Sequence, residues 1–359
     1  MDFIMQMEPD YGAEEKKAVM DYLDSGGFIM EFKKTRELEE AIAAYTGSKY
    51  CSIVQNGTIS LFLALKAVEV GQDDEVIVPD YTMVATPNAA VLAGATPVFA
   101  DVDQTLNLDP EKLEAAITKK TKAVIFVSIN GRGGQLDKVK AICQARQLHL
   151  IEDAAQSLGS RFQGQHLGTY GVIGSLSFSV PKIITMGQGG ALLTNDEKLY
   201  QKIRKLKDFG RPEGGADHYE EMGWNFKYTD LQSAFGLAQF AKLKGRVERK
   251  KEMWRLYQEG LKDVSRVKMI ATDLTEVAPW FMEIFVPERD KLQEFLKDNN
   301  IGSRPIYPAL HSQPVYHLAG SYPVSEKLSQ EGLWLPSSTK LADDQIKYIT
   351  AKIQEYYGQ

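Results

Sequence analysis

Between about residues 50 and 196 the chain alternates short β-rich runs with helical stretches, and that alternation constrains its fold more than any other feature. Residues 51–54, 76–78, 97–100, 123–127, 148–151, 176–178 and 191–193 read as strands. Residues 60–68, 85–93, 110–117 and 136–146 read as helices, the third opened by Asp109 as an N-cap. Such apolar strands separated by helices imply an α/β fold. The expected core is a mostly parallel central sheet with helices on both faces, and ligands gather at the carboxyl ends of its strands. Asp153 and the turn Asn56-Gly57-Thr58 both fall at such ends.

A further helical pattern starts near Thr229 and runs, with charge-rich faces, to about Lys262. Residues 267–359 are mixed and shorter-range, with turn signals at Gly302, Pro305, Pro308, Pro314 and Pro323. The reading is a large domain over 1–245, then a linking helix and a smaller C-terminal α+β domain over 246–359. A chain of 359 residues is long enough for two cores.

Hydrophobic residues at 43% and charged residues at 25% exclude disordered and fibrous classes. A net charge of −6 gives no electrostatic reason to expect nucleic acid or an anionic membrane as partner. Cys51 and Cys143 are too few for a disulfide framework and have no metal-ligand spacing, so no metal is expected. Residues 1–4 show no basic or long apolar leader, and the most apolar stretch, 89–100, is interrupted by Gly94 and Pro97. A cytoplasmic protein is the expectation.

Two residues carry the chemistry. Asp153 ends the apolar run that begins at Leu148, and Lys182 follows Ser177-Phe178-Ser179-Val180-Pro181 and leads into Gly187-Gln188-Gly189-Gly190. A lysine amine can form a Schiff base with the aldehyde of pyridoxal phosphate, and a carboxylate can hold its pyridine nitrogen protonated so that the ring accepts electrons. Gln55-Asn56-Gly57-Thr58 would supply a phosphate cup from free amides at a helix N-terminus. Each feature has an ordinary alternative: a capping aspartate, a surface lysine, a plain strand–helix turn. Their combination in one chain favours the cofactor site.

The order of motifs resembles the DegT-type sugar aminotransferases, a branch of the fold-type-I pyridoxal phosphate enzymes with an aspartate-aminotransferase-like fold. The segments are Gln55-Asn56-Gly57-Thr58, Asp74 to Pro79, Gly94 to Phe99, Glu152-Asp153-Ala154-Ala155-Gln156, Ser177 with Lys182, Gly187 to Gly190, Gly223 to Asp230, and Ser303 to His311. The resemblance implies that Lys182 carries the cofactor and moves protons, with Asp153 on the ring nitrogen and Gln156 near the phenolic oxygen. It places Gly57, Thr58, Ile59 and Ser177 on the phosphate, Thr58 and Ile59 partly through their amides. Asn225 would reach the phosphate of a second subunit, making a homodimer with shared active sites, with Trp224, Phe226 and Tyr228 as an aromatic interface collar. Arg304, Tyr307 and His311 resemble positions around the substrate; turn packing is their alternative.

Two departures bear on the pocket. Met83 stands where many relatives stack an aromatic ring on the cofactor, and a thioether can still cover a ring face. Asn130-Gly131-Arg132 stands where an aromatic–glycine pair is common, and Gln188 replaces a frequent glutamate. The resemblance leans toward the perosamine-synthase side of the family. That implies amino transfer from glutamate or glutamine to a nucleotide-linked 4-keto-6-deoxy sugar, with pyridoxamine phosphate as the intermediate form of the cofactor. Another keto-sugar position, a ketocyclitol or a small phosphorylated ketone stays open as substrate, as does a non-catalytic regulatory or scaffold role. Sugar dehydration, which uses histidine in place of the lysine, is disfavoured by Lys182.

Overall fold

A computed structural model of the chain describes residues 2–358 except 213, 216 and 317. Its strands, in chain order, are β1 (Tyr50–Val54), β2 (Glu75–Pro79), β3 (Thr96–Ala100), β4 (Thr121–Val127), β5 (His149–Asp153), β6 (Arg161–Phe162), β7 (Gln165–His166), β8 (Ile173–Ser177), β9 (Gly190–Thr194), β10 (Met282–Phe285), β11 (Arg304–Pro305) and β12 (Gly332–Leu335). The expected α/β architecture is present. A seven-stranded sheet has the order β1-β9-β8-β5-β4-β2-β3, with β9 antiparallel to both neighbours and the rest running one way.

Side chains alternate across this sheet with period two. Val76, Val78, Ala123, Ile125 and Val127 join Leu61, Leu65 and Ala89 in one buried cluster. Ile77, Val124, Phe126 and Leu150 join Leu113, Leu136 and Val139 in another. Helices thus cover both faces, which is why the strands read as continuous apolar runs. Asp109 caps the helix Pro110–Ala116 as expected, accepting from the Glu111 amide at 2.8 Å.

A three-stranded antiparallel sheet, β10-β12-β11, follows. Met282, Ile284, Leu333 and Leu335 pack with the helices Leu243–Leu261, Arg289–Asp298 and Asp343–Tyr356. Its other face, through Phe281, Phe285 and Trp334, merges with the buried cluster of the large sheet. The first residues lie beside this small sheet's surroundings: the Ile4 amide donates to Asn300 (2.8 Å) and its carbonyl accepts from Gly302 (2.7 Å).

The helical pattern expected to run unbroken from Thr229 to Lys262 is two helices, Asp230–Ala241 and Leu243–Leu261, meeting at Lys242. The Lys242 amide donates to Gln239 three residues back, and its ammonium reaches Glu14 (3.0 Å) and Glu15 (2.8 Å). The break therefore coincides with a long-range tie to the N-terminal helix Ala13–Asp24.

Asp230 fixes the entry to this region. Its buried carboxylate accepts from the amides of Phe32 (2.7 Å), Lys34 and Thr35 (both 2.9 Å) and from the Thr35 hydroxyl (2.8 Å). It caps the helix Lys33–Thr46 from a distant part of the chain, where Phe32 offers no side-chain cap. Burial alone would raise this carboxyl, but the donated hydrogen bonds outweigh it and the net shift is downward. A depressed carboxyl stabilises the fold fully above its unfolded value of about 3.9 and loses that contribution as pH falls through the folded value. Asp230→Ala should cost about 2–3 kcal/mol near neutral pH, read as a lower urea midpoint, and the gap to the native protein should narrow in acid.

Candidate active site

The parallel strands bring their carboxyl ends to one edge of the large sheet, and a cavity of about 520 Å³ lies there. Asn56, after β1, caps the helix Gly57–Ala67: its Oδ1 accepts from the Ile59 amide at 2.9 Å. The amides of Gly57 and Thr58 donate to nothing among the described residues and sit at the positive end of that helix. Ser177 closes β8 opposite them, and Ser179 lines the same cavity. A Cβ on Gly57 would come within 3.0 Å of the Ser177 Cβ, so glycine permits this close approach.

Asp153 ends β5, beside β8, and forms the floor. Its Oδ2 accepts from the Thr86 hydroxyl at 2.8 Å and its Oδ1 from the Ala155 amide at 3.1 Å. Thr86 in turn meets the Thr82 hydroxyl at 2.9 Å. Burial pushes the Asp153 carboxyl up, and those hydrogen bonds and the charge of Lys182 only partly oppose it. Burial pulls the Lys182 amine down to about 8 against the field of Asp153. Roughly a tenth of such an amine is uncharged and nucleophilic at neutral pH. Its Nζ lies 4.1 Å from the centre of the Trp280 ring.

Gln156 lines the cavity and accepts, through Oε1, the Asn130 amide at 2.7 Å. That leaves its amide nitrogen free of partners among the described residues. Met83 also lines the cavity and is 45% exposed; its sulfur accepts from the Ala85 amide at 3.1 Å. Asn130 turns away, pairing its side chain with the backbone N–H (2.8 Å) and carbonyl (2.9 Å) of Phe281.

Four expected site residues lie off this cavity within the chain. Asn225 is exposed, and among the described residues its carbonyl alone is engaged, by Gln55 at 3.4 Å. Arg304 lies over the Trp334 ring at 5.4 Å, and Tyr307 packs between Tyr81 and Trp334. His311 is clamped: its amide (2.7 Å) and Nδ1 (2.8 Å) meet the Asp80 carboxylate, its Nε2 is 3.3 Å from Glu326, and its ring stacks on Tyr322. The expected aromatic collar is turned inward. Trp224 and Phe226 pack on Phe62, and buried Tyr228 donates its hydroxyl to the Gln188 carbonyl at 2.7 Å.

This donor set fits pyridoxal phosphate. Two unpaired helix amides with the Ser177 and Ser179 hydroxyls suit the phosphate, a lysine amine lowered far enough to be partly uncharged suits the aldehyde, and a buried carboxylate with no salt-bridge partner among the described residues suits a protonated ring nitrogen. Comparison with known proteins agrees. The family model described as DegT/DnrJ/EryC1/StrS aminotransferase matches residues 9–354.

The chain belongs to this aminotransferase family.

It is a pyridoxal phosphate-dependent aminotransferase of fold type I. It is 32% identical over 363 residues to a GDP-perosamine synthase of Escherichia coli O157:H7, covering 100% of both chains. It is 33% identical to the GDP-perosamine synthase of Vibrio cholerae, covering 98% of each. Among solved structures, a DegT DnrJ EryC1 StrS aminotransferase from Brucella abortus superposes with a TM-score of 0.91 at 30% identity, over 96% of each chain.

Thr86, Ser179 and Trp280 were not among the residues expected from sequence. Thr86 lies in the first turn of the helix Ala85–Ala93 and Thr82 in the loop before it, so no helical spacing announces the pair. Trp280 carries no local signal. If the cup holds phosphate, Gly57→Ala crowds Ser177 and should weaken pyridoxal phosphate binding roughly tenfold, from an overpacking cost of about 1–2 kcal/mol. Titration of cofactor-free protein by fluorescence quenching checks this; an unchanged affinity would put the phosphate elsewhere.

Proposed function

We propose that this aminotransferase moves an amino group from glutamate or glutamine to a nucleotide-linked 4-keto-6-deoxy sugar, in the manner of the perosamine synthases. Full-length similarity to two GDP-perosamine synthases supports the sugar class. The observation that carries the chemistry is the meeting of Lys182, Asp153 and an unpaired helix N-terminus around one cavity.

When bound, pyridoxal phosphate supplies an aldehyde that condenses with amines and a ring that stores the electron pair left when a proton departs from the neighbouring carbon. In our reading, Lys182 anchors it and later takes and returns that proton, a task suited to an amine lowered to about 8. Asp153 keeps the ring nitrogen protonated. The amides of Gly57 and Thr58 and the Ser177 hydroxyl hold the phosphate, while Ile59 serves by closing the helix start through Asn56. Gln156 turns its free amide nitrogen to the phenolic oxygen, and Met83 covers one ring face with its thioether. Arg304 and Tyr307 bound the substrate side, and His311 supports it from behind by fixing Asp80, three residues before Met83. Two buried free cysteines, Cys51 and Cys143, fit a reducing, cytoplasmic setting. The net charge of −6 speaks against nucleic acid and anionic membrane surfaces, and among the described residues no helix is long and apolar enough to cross a membrane.

Borohydride reduction of the cofactor-loaded protein should fix the label on Lys182, and a panel of nucleotide ketosugars and small ketones, followed by mass spectrometry, should show amine formation with a nucleotide 4-ketosugar. Label on another lysine would overturn the site. Turnover confined to a ketocyclitol or a small phosphorylated ketone would overturn the substrate class.

We further propose a homodimer with shared active sites. Lys182 is the sole basic side chain among the described residues lining the cavity, so the phosphate has no cation of this chain beyond the lysine it reacts beside. Exposed Asn225, off its own cavity, is then free to complete a second subunit's cup. Mixing inactive Lys182→Ala with an inactive Asn225→Ala variant should restore part of the activity, because one site of each mixed dimer regains both native residues. No recovery despite proven subunit exchange would place Asn225 in its own chain's site.

A further inference from the structure

Trp280 stands just before β10, in the segment that enters the small sheet, yet it touches the lysine loop of the large sheet at two points. Its ring centre is 4.1 Å from the Lys182 Nζ, and its Nε1–H donates to the carbonyl of the preceding residue, Pro181, at 2.7 Å. The ring is buried, edge-on to Trp334 at 5.7 Å. One aromatic side chain thus holds both the backbone and the amine of the same lysine.

The segment that presents this ring is fixed from two sides. Lys250, buried in the helix Leu243–Leu261, donates to the carbonyls of Trp280 (2.7 Å) and Ser337, and it meets no carboxylate among the described residues. Asn130, in a left-handed backbone conformation (φ 53°), pairs both ends of its side-chain amide with the backbone of Phe281, and its own N–H reaches Gln156 in the cavity. The departure at Asn130 therefore has a structural partner. It ties the loop after β4 to the residue next to Trp280.

We propose that Trp280 is a positioning residue for Lys182, its ring face receiving the lysine ammonium whenever that amine is free of the cofactor, with Asn130 and Lys250 holding the indole in place. A ring face is electronegative and attracts a cation, more so where water is excluded. The contact gives the released amine one defined station near the reacting carbon in place of several rotamers. Asp153 is the charged group whose field reaches the Lys182 amine, and Lys250 meets the Trp280 carbonyl, not its ring. The inference rests on Lys182 being the cofactor lysine.

The test uses cofactor-free full-length protein. Reductive methylation of Lys182, followed by peptide mass spectrometry across pH, gives the midpoint at which its amine becomes reactive. Trp280→Leu keeps the surroundings apolar but removes the ring face, so the ammonium loses its stabilisation. Its midpoint should fall by roughly half a unit or more, and Trp280→Phe should recover at least half of that shift. A midpoint that stays or rises in Trp280→Leu, or a phenylalanine that restores nothing, overturns the proposal. Should the variants not fold, native protein carrying 15N-tryptophan replaces them. One of its four indole signals should titrate with the Lys182 midpoint and cease to do so in Lys182→Ala; four indole signals that ignore Lys182 overturn the proposal equally. Borohydride label on a different lysine would sink the cofactor assignment alone, because the indole titration is read without cofactor.

Discussion

A buried carboxylate with no salt bridge among the described residues is costly to hold, and much of the site is arranged around it. Asp153 sits at the end of a central strand with one hydroxyl and one amide as partners, and burial still drives its carboxyl upward. Leaving an ionised carboxylate in such a place costs several kcal/mol unless a cation joins it. Lys182 contributes only a field, and that amine is itself pulled toward neutrality. Both groups are under-compensated alone, and both gain from a flat, cationic heterocycle bearing an aldehyde. Perturbed groups facing each other across a cavity mark function more often than structure.

The strand–helix alternation was legible because both faces of the large sheet are covered, so each strand is apolar along its length. Sequence placed β4 at 123–127 and β5 at 148–151, within two residues of Thr121–Val127 and His149–Asp153. What it missed is held by long-range contacts. Nothing local at Lys242 announces a break between two helices; the tie to Glu14 and Glu15 spans more than two hundred residues. The isolated bridge between Ile4 and Ile301 is likewise long-range. The same division runs through the site. Asp153, Gln156, Ser177 and Lys182 stand beside strand ends and could be found in order along the chain, whereas Trp280 reaches the lysine from the other sheet across 98 residues.

Carried-over roles fared according to whether one chain suffices to express them. The residues expected around the cofactor line one cavity within the chain. Arg304 and Tyr307 pack on Trp334 and His311 on Asp80, and exposed Asn225 does not line the cavity. The aromatic neighbours of Asn225 do not form an exposed collar; Phe62 and the Gln188 carbonyl occupy them. That inward packing gives Asn225 a rigid mount while leaving its side chain outside.

Ile59 shows how finely a shared motif divides its labour. Its amide belongs to Asn56, which caps the helix, so the donors left for a phosphate are one and two residues earlier. Those two amides are free because the first turn of a helix has no acceptors of its own for them. Gly57 then brings that turn against Ser177 so closely that a Cβ there would push Ser177 aside. The cup is therefore set by the packing of β1 against β9 and of β9 against β8, which places a helix start and a strand end side by side. The proposed anion site owes its shape to sheet order, and the antiparallel strand β9 is what brings the two ends together.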